Sequence, residues 1–249
     1  MQSLVNPSEY PKDVLVALGP SVISGILGER ATQKRGTPKP LHRSLPFSGT
    51  ERDVERIRVL FDETLPDLST EQRSNLFSCA LELVTNGLKA NLKHVFFRSK
   101  GWSTEDLSRR AERIAFFRSH CLIGSNFAEY TRRAEENGLS VGFLLSQDRD
   151  NTCIEVRNSL PLTTEDANRI KHKINCAATC KDLFEFHDRF SDRSEGEGLG
   201  LALVIFVLKN AGIDPGFLHI REERDTTIAT LSIPNAALRA ATRTKTHRA

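Results

Sequence analysis

Glycines at 196, 198 and 200, in Glu195-Gly196-Glu197-Gly198-Leu199-Gly200, stand directly in front of an apolar helical stretch ending at Leu208. This feature constrains the chain most. Alternate glycines leave backbone N–H groups free to face an anion, and the following helix N-terminus adds its dipole. Glycine turns also open ordinary helices, so the surroundings decide the reading. A dinucleotide fingerprint requires a strand immediately before the glycines and a βαβ unit around them. Here Phe184, Phe186 and Phe190 precede them in an acidic segment, which excludes that fold.

Residues 1–50 read as an N-terminal arm or linker: one apolar unit at 14–18 closed by Gly19-Pro20, then Pro38, Pro40 and Pro46 among basic residues. Thr50 is placed to cap a first helix, which Pro66 ends. Ser69 or Thr70 caps a second, whose apolar stripe (Leu76, Cys79, Ala80, Leu83, Val84, Leu88) runs through Ala90. Residues 94–97 read as a short strand. A charged helical insert follows over about 102–138, with Phe116, Phe117, Phe127 and Tyr130 packing it down. Antiparallel strands are expected over 140–146 and 153–158, a helix from Thr163 to about Ala178, and strands over 217–221 and 226–233, closed by Pro234. This order predicts an α/β sandwich with helices packed on one face of a mixed, mainly antiparallel sheet. The domain spans 51–235, and residues 236–249 read as a basic flexible tail.

Composition bounds the partners. Of 249 residues, 39% are hydrophobic and 27% charged, and the net charge is only +3. Much of that excess lies in the tail, at Arg239, Arg243, Lys245 and Arg248, so nucleic acid is not expected as a ligand. The apolar stretch over 14–27 is broken by Gly19-Pro20 and Gly25 and is too short to span a bilayer, so a cytoplasmic protein without a membrane partner is expected. The five cysteines do not read as a disulfide framework. Cys176 and Cys180, with Cys153 and His172 upstream, give the one metal-like spacing, and without a second close pair they read as reduced thiols.

A second chemical signal lies upstream. Glu82 and Asn86 are four residues apart on the second helix and project from one side, with Lys89 and Ala90 extending that face. A carboxylate one turn from a carboxamide suits a water-activating base beside a metal-binding oxygen. By itself the pair also describes a polar helix edge.

Glu82-Leu83-Val84-Thr85-Asn86-Gly87-Leu88-Lys89-Ala90 resembles the N-box of the ATPase superfamily shared by gyrase, the heat-shock chaperone, histidine kinases and the MutL repair proteins. The run from Glu195 to Val204 resembles the second glycine box of histidine kinases. Leu183-Phe184-Glu185-Phe186 resembles their F-box, and residues 226–234 their last core strand. The likeness covers roughly residues 70–235. It implies a Bergerat-type fold with ATP and magnesium as cofactors. By similarity Asn86 holds the metal, Lys89 approaches a phosphate and Glu82 is the general base of hydrolysing members. Gly196, Gly198, Leu199 and Gly200 belong to the phosphate-facing lid, and Thr226 supports the adenine pocket.

The first glycine box departs from that pattern. Where the family carries Asp-x-Gly-x-Gly, this chain reads Asn158-Ser159-Leu160-Pro161-Leu162. An amide oxygen still accepts a hydrogen bond, without the strength of a carboxylate, and Leu160 and Pro161 do not permit the backbone approach of glycine. No helix before residue 70 presents a phospho-accepting histidine, and His42 lies among prolines as a loop residue. The resemblance therefore implies an ATP-binding signalling protein like a histidine kinase catalytic domain, acting on a protein partner or phospho-acceptor in trans, with a homodimer left open. Two alternatives stand beside it: an ATP-hydrolysing conformational switch using Glu82, and a degenerate adaptor that keeps the fold without chemistry.

Overall fold

The computed structural model describes residues 43–102, 109–122, 125–190 and 198–246. Its first element is a strand, β1 (Arg43–Pro46), where a linker was expected. This strand pairs antiparallel with β2 (Val141–Gln147) at the sheet edge. Proline has no N–H to give to a ladder, and Pro46 closes the strand. The Phe47 N–H then donates to the Val141 carbonyl at 2.8 Å, and the Phe47 ring is buried.

Two capping boxes start the long helices. In α1 (Glu51–Thr64) the Thr50 hydroxyl accepts from the Asp53 N–H while the Asp53 carboxylate accepts from the Thr50 N–H. In α2 (Thr70–Ser99) Ser69 and Gln72 do the same. The turn between them is closed by Arg73, which donates to the Leu68 carbonyl at 2.6 Å and pairs with Asp62 at 3.2 Å. Residues 94–97, expected as a strand, are the last turns of α2. Val95, Phe96 and Phe97 continue the helical spacing set by Leu88 and Leu92 and are all buried, so packing overrides their local β preference. Gly101, at φ +65°, takes the left-handed turn that ends the helix, and the Trp102 N–H donates back to the Phe97 carbonyl at 2.9 Å.

The charged insert forms α3 (Arg110–Cys121) and α4 (Ser125–Glu136), both packed on α2. Phe96 is the hub, its ring centroid 5.6 Å from Phe117, 5.3 Å from Tyr130 and 6.0 Å from Trp102.

The remaining strands are β3 (Asn151–Asn158), β4 (Leu218–Glu223) and β5 (Thr226–Pro234), in the spatial order β1-β2-β3-β5-β4. All four pairings among the described residues are antiparallel, which corrects the expected mixed sheet. The reason is topological: β3 and β4 run in the same direction, but β5 inserts between them, so they never pair. Two tight turns set the hairpins. The Asp148 carboxylate accepts from the N–H groups of Asp150 and Asn151 between β2 and β3. Arg224 and Asp225, both at positive φ, turn β4 into β5, the backbone that a two-residue type I′ hairpin demands. One sheet face carries Val141, Phe143, Leu145, Ile154, Val156, Leu231 and Ile233 into the core, where α1 and α2 cover it.

Between β3 and β4 come α5 (Thr164–Thr179), α6 (Leu183–Phe190) and α7 (Gly198–Asn210). Leu201, Ala202, Val204, Ile205, Phe206 and Leu208 of α7 are all buried, because the helix lies against α2, α5 and α6. The stretch after Pro234, expected as a flexible tail, is helix α8 (Asn235–Thr246). Its alanines favour a helix, and Leu238 is buried beneath it. The Gln72 amide donates to the Leu238 carbonyl at 2.7 Å, and the Asn235 amide joins the Asp148 carbonyl at 2.9 Å to the Thr152 hydroxyl at 2.8 Å. No helix among the described residues is long and apolar enough to cross a membrane.

Candidate functional site

Helix α2 and the start of α7 meet at the residues singled out by the sequence. A Cβ placed on Gly200 would overlap the Glu82 Oε2 and come within 3.4 Å of the Asn86 Oδ1. The absence of a side chain at 200 is therefore what lets the first turn of α7 sit directly on the carboxylate–carboxamide pair. Gly198 opens the helix and Leu199 packs half-buried against the core, while Gly196 lies outside the described residues.

Glu82 is 4% exposed. Burial pushes its carboxyl above the ordinary glutamate range, and the Lys89 ammonium, two turns on along the same face, pulls it partway back. Among the described residues, neither the Glu82 carboxylate nor the Asn86 amide is engaged in a side-chain hydrogen bond. One turn before Glu82, the buried Cys79 thiol is pushed up by burial and further by the Glu82 charge, so it stays protonated and unreactive. The site thus offers a desolvated carboxylate, an uncommitted amide oxygen, a nearby ammonium and a helix N-terminus.

The end of β3 stands on the other side of α2. Gly87 seats the helix there: a Cβ on it would lie 3.3 Å from Val141 and 3.7 Å from the Asn158 Cβ. Asn158 is buried, its Nδ2 donating to the Gly87 carbonyl at 3.4 Å and its Oδ1 accepting from the Leu160 N–H at 3.4 Å. The two threonines at the start of β5 face opposite sides of the sheet. Asn158 is paired across the sheet with Thr227, while Thr226 is paired with Glu223 and faces the opposite side of the sheet. The Thr227 hydroxyl and N–H both donate to the Leu160 carbonyl, at 2.8 and 2.9 Å. Adjacent threonines in Thr226-Thr227-Ile228 cannot be told apart until the strand's register is known. Gly87, which makes the close approach to β2 and β3, stands inside the Glu82–Ala90 run.

In the F-box-like segment the two phenylalanines divide. Phe186 is buried against Phe190 and Phe206, whereas Phe184 is 79% exposed. On α5 the His172 Nε2 lies 3.5 Å from the Cys176 Sγ, while Cys180 is buried at the helix end and Cys153 lies on β3. Among the described residues no three His, Cys, Asp or Glu side chains converge as a metal site.

A Treponema pallidum (strain Nichols) protein described as an uncharacterized protein is 30% identical to this chain over 202 residues, covering 79% of the chain and 39% of that protein. The chain thus spans about two fifths of the length of the relative it matches. No family model matches the chain, and no solved structure matches it.

Proposed function

We propose that this chain is a magnesium-dependent ATP-binding signalling protein of the histidine-kinase-like ATPase type, its α/β sandwich a Bergerat-type fold. The observation that carries the reading is the seating of Gly200 on Glu82 and Asn86. It brings together two segments more than a hundred residues apart that resemble the N-box and the second glycine box of that superfamily. A buried carboxylate and an uncommitted amide oxygen are hard oxygen donors of the kind magnesium takes alongside phosphates, so the residues fit the ion. Asn86 would hold it, with Glu82 behind, and the bound ion would neutralise phosphate charge. Lys89 supplies a cation on the same helix face, and the N–H groups at the start of α7 point their dipole toward an anion. The protein would phosphorylate a protein partner or change shape for it, in the cytoplasm.

The burial of Glu82 favours a second reading, hydrolysis. A carboxyl held above its ordinary range is a stronger base toward water than an ordinary glutamate. Glu82→Ala separates the two, since it stops hydrolysis while leaving partner-directed transfer and binding in place. The test of the shared reading is calorimetric titration with ATP, with and without magnesium. Magnesium-dependent heat that Asn86→Ala abolishes supports it. No heat, together with no thermal shift, sinks it and leaves a protein-binding adaptor.

A further inference from the structure

We infer that the apolar stretch from Val14 to Leu27 of this same chain lies across the sheet face turned away from the helices. The register assigns the two faces. Ile228 pairs with Arg157 on one side and Arg221 on the other, so these three stand on the face opposite Phe143, Val156 and Leu231. Cys153 and Glu155 share it, since alternate residues of a strand point the same way, and Leu144 is paired with Glu155. The helices α1, α2 and α8 meet the sheet from the other side, where Phe61 stacks on Phe143 and Leu238 joins the core. Yet Ile228 is 0% exposed. Its neighbours in the row are not folded down over it, because Arg157 and Arg221 keep 56% and 48% of their side chains in solvent. Glu155, which accepts from Arg157 at 2.7 Å, is only 12% exposed, and burial also raises the Cys153 thiol. A residue in the middle of an open pleated face, between neighbours that stand out into water, keeps some of its surface wet. Ile228 does not, so a further segment covers it.

The stretches outside the described residues are 1–42, 103–108, 123–124, 191–197 and 247–249. The three internal ones join helices that pack on the core side of the sheet, and the last is too short to form a layer. The N-terminal stretch has both the reach and the apolar surface. It runs directly into β1 at the sheet edge, and from β1 to β5 is three strand spacings, roughly 15 Å. The chain between Leu27 and Arg43 can span roughly 50 Å when extended, so it reaches Ile228 with slack. Apolar side chains are concentrated between Val14 and Leu27, whereas residues 28–42 carry prolines and basic residues. Laying the first of these on Ile228 and Leu144 takes apolar surface on both sides out of water.

The test is a disulfide scan on the full chain carrying Cys176→Ser. Cys153 is then the one half-buried thiol, since Cys79, Cys121 and Cys180 are buried. Val14→Cys, Val16→Cys, Leu18→Cys, Ile23→Cys and Ile26→Cys are introduced singly, and each protein is oxidised with copper phenanthroline. The expected result is an intrachain disulfide to Cys153 from at least one position, identified by peptide mass, because a bridge forms only where the two Cβ atoms come within about 4.5 Å. Cross-linked dimers in its place overturn the inference and make a second copy the occupant. No bridge from any of the five positions overturns it as well. A second measurement needs no bridge: Val16→Asp combined with Ile23→Asp, in the Cys176→Ser chain, should raise the rate of Cys153 alkylation by about tenfold or more, as the cover is lost. An unchanged rate would show that the face is not covered by this stretch.

Discussion

Gly200 and Glu82 occupy almost the same space: a methyl group at position 200 would overlap the Glu82 carboxylate. Alanine at 200 adds helix propensity worth about 1 kcal/mol and must displace the end of a flexible side chain, so the two effects offset. Gly200→Ala is expected to change stability by no more than about 1 kcal/mol by denaturant unfolding. Its magnesium–ATP affinity should nevertheless fall by about tenfold or more, because the added methyl crowds the Asn86 oxygen that would hold the ion. Unaltered affinity would mean that the contact is packing only.

Glu82 also has a signature without ligand. Its folded-state carboxyl titrates above the ordinary 4.5, so its contribution to stability is full below that value and is lost as pH rises through the folded one. With chelator present, Glu82→Gln should raise stability by about 1–3 kcal/mol at pH 8 and have little effect near pH 4. Melting temperatures of both proteins across that range check it, and equal gains at both ends would contradict it.

Asp53 has the opposite sign. Burial pushes its carboxyl up, but bonds from the Ser48 N–H, the Thr50 and Ser48 hydroxyls and the Thr50 N–H hold it below the usual aspartate range. Its stabilisation is present above 3.8 and is lost as pH falls through the folded value. Asp53→Ala should cost about 1–2 kcal/mol at pH 7, and the difference from wild type should shrink steadily on acidification below 3.8. A deficit independent of pH would place its origin outside the capping carboxylate.

Phe96 ties the insert to α2 through four rings of the insert and its approach. Phe96→Ala is expected to destabilise by about 3–5 kcal/mol. The fluorescence of Trp102, the sole tryptophan, should shift to the red in the same variant. Stability loss without a fluorescence change would show that the insert does not depend on this hub.

Leu238 tests whether α8 is part of the domain. Leu238→Ala should cost about 2–5 kcal/mol, since the side chain is fully buried. Arg239→Ala, at the exposed neighbour, should stay within about 0.5 kcal/mol of wild type. Equal effects would return this segment to the frayed tail that its basic composition suggested.

Local chemistry was the legible part of the fold. Thr50 and Ser69 announced their helices because capping involves residues three apart, and the strand pair around Asp148 was readable from alternation and its polar turn. Misreadings came where distant packing decides. Val95, Phe96 and Phe97 look like a strand until the insert's rings are set against them, and the charges of the last segment hide that Leu238 is buried. Glu82, Asn86 and Gly200 were found by pattern, and the structure brings them together. The pairing of Asn158 with Thr227 was not legible because register is a property of two strands, and the Asn158 bond to the Gly87 carbonyl joins residues far apart in sequence.

The insertion of β5 between β3 and β4 has a consequence for synthesis. A ribosome delivers β1, β2, β3 and β4 before the strand that joins the last of them to the rest. Until residues 226–234 emerge, β4 has no neighbour, the β3 edge toward it is unpaired, and the growing chain resembles an open template for any extended peptide. Completion of the sheet is thereby postponed to its last strand, and chains arrested just before Thr226 are the species for which chaperone capture is most needed.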